Sequence, residues 1–130
     1  MPGVVTGLYA GLLGLLVLVL MIRVIRLRWK FRVGVGDGNE RTLQKAIRAH
    51  GNAVEHIPIA LVLLLVAELN RASPTLLHAA GGAFVIARIL HANGLSRSAG
   101  PSMPRAIGVI GTVAVIAVLA IYDIRSFFAS

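Results

Sequence analysis

Hydrophobic positions along this chain form four long runs separated by short polar segments. The first run, Val4 to Ile22, is interrupted only by Thr6, Tyr9 and small glycines. The apolar core of a bilayer is about 30 Å thick, and a helix needs about 20 residues to cross it. The pattern therefore predicts a first transmembrane helix over residues 4–25.

The second run is polar at its start and apolar at its end. A glycine-rich turn precedes it, and Asp37 followed by Glu40 resembles a capping box, which predicts a second helix over residues 38–69. Its purely apolar part, Ile57 to Leu69, is too short to span a membrane alone. Part of the polar half must therefore lie at membrane depth, where it faces protein and not lipid.

The last two runs each follow a serine and a proline that are typical of a helix start. Ser73 and Pro74 fit the N-cap and first position of a third helix, and Ser102 with Pro104 gives a similar pattern before a fourth. The predicted bounds of these helices are residues 74–92 and 104–127. The sequence thus predicts an all-α fold, an integral membrane four-helix bundle.

The composition supports this fold class and excludes several kinds of functional site. Of 130 residues, 57% are hydrophobic and 14% are charged, and the mean hydropathy is +0.84, which is far from a soluble domain. The length leaves room for one domain, residues 1–130. The chain has no cysteine, which excludes disulfides, cysteine metal sites and a thiol nucleophile of its own. Any thiol chemistry must use a sulfur from another molecule.

The net charge of +8 would suggest nucleic acid as a partner of a soluble protein, but no nucleic-acid motif is present. Five cations instead follow the first apolar run directly. They are Arg23, Arg26, Arg28, Lys30 and Arg32. Short cytoplasmic loops of membrane proteins are enriched in Lys and Arg. The connection between helices 1 and 2 is therefore predicted to be cytoplasmic and both termini to be non-cytoplasmic.

A polar stripe runs along the second helix. At about 100° per residue, its members fall on one face. They are Arg41, Lys45, Arg48, Asn52 and Glu55, with Gln44 and His56 at the edges. Arg48, Asn52 and Glu55 offer a fork for a carboxylate, an amide and an acceptor for an ammonium, which suits a zwitterionic, peptide-like ligand. The alternative is an internal pair of Arg48 and Glu55, bridged through Asn52 across two helical turns.

The four histidines do not predict a metal site. No two of them have the i, i+4 spacing on one helix that a zinc-binding helix uses. His50 lies opposite the polar stripe, where a packing or hydrogen-bonding role is the more usual interpretation.

Three segments of the chain resemble the MAPEG family, the membrane-associated proteins in eicosanoid and glutathione metabolism, and especially its small bacterial members. The segments are GDGNERTL, IRAHGNAVEHIP and RILHANGLS, and RAHGNAVE is similar to the RAxxNxxE signature of that family. The resemblance covers nearly the whole chain. It implies a homotrimer in a bacterial inner membrane, with glutathione as co-substrate held between protomers near the cytoplasmic side.

The resemblance also implies which residues contact glutathione. They are Arg48, Asn52 and Glu55, with His50 and His56 as helpers and with Arg88 and His91 from the end of helix 3. Several eukaryotic enzymes of the family place tyrosines near that end, where this chain has His91 and Leu95. The arginine credited there with activating the thiolate has its nearest counterpart in Arg105, which is the predicted catalytic residue.

The function that follows is a membrane-bound glutathione transferase or peroxidase, which conjugates or reduces lipophilic electrophiles that arrive through membrane lipid. Two other functions stay open. One is a non-enzymatic family member that binds a lipid or a partner protein. The other is a small multidrug-type transporter, which needs a carboxylate deep in the membrane, usually in helix 1. Helix 1 has none here, and Glu55 would have to serve in the company of Arg48 and Lys45.

Overall fold

The described residues of the chain form four α-helices joined by short connections. The computed structural model describes residues 1–98 and 100–129, so that Ala99, in the predicted loop before the fourth helix, and Ser130 lie outside the described residues. The helices are α1 Val4–Phe31, α2 Arg41–Leu69, α3 Pro74–Arg97 and α4 Met103–Ala129. All four are long and apolar enough to cross a membrane. The prediction of an all-helical fold with four membrane-length helices is confirmed.

The first helix is longer than its apolar run. It ends at Phe31 and not at residue 25, and it stops where Arg32 adopts a left-handed backbone with φ 55°. The N–H of Val33 then bonds to the carbonyl of Arg28 at 3.0 Å. At 1.5 Å per residue, 28 residues measure about 42 Å, which exceeds the bilayer core. The cationic end of α1 therefore extends the same helix beyond the membrane.

The second helix begins at Arg41, so the predicted start near Gly38 was wrong. Gly38 and Asn39 have φ angles of 58° and 60°, which a right-handed helix does not accept. The Asp37 carboxylate accepts a hydrogen bond from the Asn39 N–H at 2.8 Å. Asp37 therefore closes a turn before the helix and does not form a capping box with Glu40.

Both serine caps that the sequence predicted are present in the structure. The Ser73 hydroxyl accepts from the Leu76 N–H at 3.2 Å at the start of α3. The Ser102 hydroxyl accepts from the Arg105 N–H at 3.4 Å at the start of α4. The third helix continues to Arg97, five residues beyond its predicted end, so the whole segment RILHANGLS is helical.

Helices α3 and α4 approach each other closely because each has a glycine at the contact, Gly94 on α3 and Gly108 on α4. A Cβ atom on Gly108 would lie 2.6 Å from the Ala87 carbonyl oxygen and 2.6 Å from the His91 Cβ. A Cβ atom on Gly94 would lie 2.8 Å from the Arg105 backbone nitrogen. This close packing brings the end of α3 and the start of α4 to one end of the bundle.

The opposite end is held by Glu68 of α2. Its carboxylate accepts hydrogen bonds from the N–H groups of Val5 at 3.0 Å and Thr6 at 2.7 Å. These N–H groups of the first turn of α1 have no carbonyl partner within the helix, and a negative charge at this end interacts favourably with the helix dipole. Beside them, the Tyr9 hydroxyl donates to the His78 carbonyl at 3.1 Å, which ties α1 to α3. Both contacts lie away from the polar stripe of α2.

Candidate functional site

The polar stripe of α2 lies on the surface of the single chain. The side chains of Arg48 and Glu55 are 60% and 55% exposed, and their Nη1 and Oε1 atoms are 3.8 Å apart. The internal pair that the sequence left open is therefore present. At 3.8 Å it is longer than a charge-assisted hydrogen bond, which measures about 2.7–2.9 Å. Exposed pairs of this kind contribute little to stability, so both groups remain available to a ligand.

Arg88 of α3 reaches the stripe from inside the bundle. It is only 1% exposed, and its Nη2 donates a short hydrogen bond to the Asn52 Oδ1. Its Nη1 donates to the Thr112 Oγ1 of α4 at 3.3 Å. The Nε atom is buried without a hydrogen-bond partner, and the described residues provide no carboxylate that pairs with this guanidinium. Arg88 is thus a buried cation that links three helices.

His91 supports Arg88 from the next turn of α3. Its Nδ1 lies 3.2 Å from the Arg88 Nη2, and the ring is 2% exposed. A guanidinium only donates hydrogen bonds, so this Nδ1 accepts and the proton of the neutral ring is on Nε2. His91 therefore orients the arginine from within the core.

His56 lies at the edge of the stripe and has the opposite tautomer. Its Nδ1 is 2.8 Å from the Asn52 carbonyl oxygen. A carbonyl only accepts, so Nδ1 carries the proton and Nε2 of the neutral ring is an acceptor. His56 and Asn52 line one side of an open groove, with Arg88 and Thr112 at its polar end. The apolar side of the groove belongs to α4 and consists of Val109, Val113, Ile116 and Ala117.

Arg105 lies at the same end of the bundle but does not line this groove. Its Nη1 donates to the Gly100 carbonyl at 3.4 Å, and its backbone packs on Gly94. The Lys45 Nζ donates to the Arg97 carbonyl at 3.4 Å, which places the start of α2 beside the end of α3. Arg105 is therefore at the rim of the polar region.

The predicted site residues mostly converge. Arg88 contacts Asn52 and His91, and the His56 ring bonds to the Asn52 backbone. Arg48 and Glu55 form their exposed pair on the same stripe, and Arg105 lies at the same end of the bundle. His50 is partly buried, and its ring has no hydrogen bond among the described residues, so it stands apart from this cluster.

Thr112 is the member of the site that the sequence reading missed. It is 3% exposed and holds one nitrogen of Arg88. The available signal was weak: it is a polar residue in an apolar run, one helical turn after Gly108 and therefore on the same face of α4.

Comparison with known proteins identifies the family of the chain. The chain matches the MAPEG family over residues 6–124. Two relatives, each named inner membrane protein YecN, come from Escherichia coli strains K12 and CFT073. Each is 47% identical to this chain over 90 residues, which is 69% of this chain and 69% of the relative. With four membrane-length helices and a family match over nearly its whole length, the chain is a membrane protein of the MAPEG family.

Proposed function

We propose that the protein binds glutathione at the groove beside Asn52 and uses its thiol to conjugate or reduce lipophilic electrophiles. The observation that carries this proposal is Arg88, a buried cation without a carboxylate partner among the described residues. A buried charge is stable only when it is paired or well hydrogen-bonded. The groove is therefore suited to a ligand with negative charge.

The remaining groups match the other parts of a zwitterionic tripeptide. Arg48 can form a forked contact with a carboxylate, and Glu55 can accept from an ammonium. Arg88 occupies the Asn52 Oδ1, so the amide nitrogen of Asn52 is left to donate to a ligand. Glutathione has two carboxylates, one ammonium and a peptide backbone, and it fits this donor and acceptor set.

The proposal includes a second copy of the chain over the stripe, in a homotrimer as the family resemblance implies. About 20 residues cross the membrane core, and counting back from Leu69 they reach His50. Asn52 and Glu55 then lie inside the core, although Glu55 is 55% exposed on the single chain. Lipid does not solvate a carboxylate there, whereas a neighbouring protomer and a bound ligand do.

Arg105 is proposed as the cation that stabilises the thiolate. A free thiol has a pKa of about 8.5, and a neighbouring cation lowers it. Because Arg105 does not line the groove of its own chain, its contact with the thiol would be made across the boundary between protomers.

Titration calorimetry of the detergent-solubilised protein with glutathione tests the binding, and a model electrophile tests the turnover. We expect saturable binding with one site per protomer and conjugation that depends on glutathione. Native mass spectrometry in the same detergent tests the assembly, and a stable monomer that still binds glutathione would contradict the shared site. Absence of glutathione binding by the folded protein would overturn the proposal.

A second function, ligand binding without turnover, is favoured by one observation. The residue assigned to thiolate activation stands outside the groove, and Leu95 occupies a position where related enzymes carry tyrosine. Binding of glutathione without conjugation or peroxide reduction would support this second function over the first.

A further inference from the structure

From the opposite tautomers of its two site histidines, we infer that His56 accepts the proton of the ligand thiol. This inference rests on the proposed function and assigns a role within it. Arg88 only donates, Asn52 offers its amide N–H group because Arg88 occupies its oxygen, and Thr112 already accepts from Arg88. The polar end of the groove is therefore rich in donors.

His56 supplies the accepting atom. The contact of 2.8 Å between its Nδ1 and the Asn52 carbonyl fixes the proton on Nδ1, so the neutral ring presents Nε2 as an acceptor. An S–H group needs such an acceptor to lose its proton. The same hydrogen bond holds the ring against the backbone of α2, which limits its rotation within the groove.

His91 does not serve in this way, although it is the nearer histidine to Arg88. Its Nδ1 accepts from Arg88 at 3.2 Å, its Nε2 carries the ring proton, and the side chain is 2% exposed. His50 lies on the opposite face of α2 from the stripe. Among the site histidines that the structure describes, His56 is thus the one that lines the groove and also has a ring nitrogen that can accept the proton.

The proposed step transfers one proton and forms one bond. The S–H bond breaks as the proton moves to the His56 Nε2, and the sulfur lone pair attacks the β-carbon of a conjugated enone. The electrons of the carbon–carbon double bond move to an enolate, which takes the proton back from the imidazolium. The product is the thioether adduct, and His56 returns to its starting tautomer.

The surrounding charges favour the thiolate. Arg88 lines the groove and His91 contacts Arg88, while Arg48 and Glu55 form their pair on α2 and Arg105 lies at the start of α4, outside the groove. The Arg88 guanidinium stabilises a thiolate that forms in the groove. A positioned histidine that takes the thiol proton beside this cation acts as a general base.

The test compares His56→Gln and His56→Ala with wild type, and uses His78→Gln as the matched control, because His78 is exposed beside Tyr9 at the other end of the bundle. Each protein is titrated with S-methyl glutathione, which has no thiol proton, and with glutathione while the ultraviolet absorbance of the thiolate is followed against pH. Conjugation of an enone is then measured over the same pH range.

We expect both His56 variants to bind S-methyl glutathione like wild type, and their thiolate to form only at higher pH. General base catalysis typically contributes about 100-fold to 10,000-fold, so conjugation near neutral pH should fall by at least about 100-fold. Added imidazole should restore part of the rate in His56→Ala, and His78→Gln should behave as wild type.

Two other outcomes would overturn the inference. An unchanged thiolate midpoint and pH profile in His56→Gln would show that another group takes the proton. Loss of S-methyl glutathione binding in both His56 variants would show that the ring acts by holding the site together. Failure of the wild type to bind either ligand is a different result, because it contradicts the proposed function itself.

Discussion

Replacing Arg88 with methionine removes the buried cation of the groove and keeps an unbranched side chain of similar length. In wild type the guanidinium donates to Asn52, His91 and Thr112. Each buried partner left without a donor costs about 1–3 kcal/mol. Removing a buried, unpaired charge offsets this loss, because its desolvation alone costs several kcal/mol. The three losses together amount to about 3–9 kcal/mol, and the relieved desolvation offsets several kcal/mol of this, so the free energy of unfolding should change by only a few kcal/mol in either direction.

Ligand binding should respond much more strongly to Arg88→Met. Truncating one partner of a desolvated charge pair typically costs about 2–5 kcal/mol. At about 1.4 kcal/mol per tenfold change, glutathione should bind about 30-fold to about 4,000-fold more weakly. The physical reason is that Arg88 supplies the positive potential of the groove and fixes the Asn52 amide.

Titration calorimetry with glutathione and thermal unfolding of the same samples separate these two effects. Arg125→Met is the matched control, because Arg125 is exposed at the far end of α4. A folded Arg88→Met protein with wild-type glutathione affinity would refute the reasoning, since the buried cation would then have no part in anion binding. A variant that fails to fold would show that the three hydrogen bonds outweigh the cost of burying the charge.

The remaining predictions concern the stripe, the thiolate and the orientation in the membrane. Arg48→Ala and Glu55→Gln should each weaken glutathione binding by tens to thousands of fold, from a loss of about 2–5 kcal/mol, and normal affinity in calorimetry would remove the stripe from the site. Arg105→Ala should leave S-methyl glutathione affinity unchanged but slow conjugation and raise the thiol pKa, and normal turnover would exclude it as the activating cation. A reporter inserted at Gly36 should be cytoplasmic and one fused after Ser130, which lies outside the described residues, should be non-cytoplasmic, and a cytoplasmic signal from the second would contradict the cation count.

Helix number and the polar face of α2 could be predicted from local patterns. The four hydrophobic runs can be counted directly in the sequence, and the recurrence of Arg48, Asn52 and Glu55 on one face depends only on the period of the helix. The Ser73 cap is also local, since its hydroxyl bonds to an N–H three residues away. Such features are decided by neighbours in the sequence.

Helix ends were predicted less accurately, because hydropathy indicates which residues lie in the membrane and does not indicate the conformation of the backbone. The first helix continues through its cationic segment until Arg32 adopts a left-handed conformation. The second helix begins only after Gly38 and Asn39, because both have positive φ angles. In each case the helix end is set by backbone conformation, and a count of apolar residues gives no information about that conformation.

Tertiary structure alone decided which polar groups meet. Asn52 and Thr112 lie 36 and 24 residues from Arg88 in the chain, and both become its hydrogen-bond partners once α2, α3 and α4 pack together. The tautomers of His56 and His91 follow from those partners, so no sequence pattern encodes them. Sequence fixes the face of a helix on which a side chain lies, whereas the distance between faces depends on close packing at residues such as Gly108.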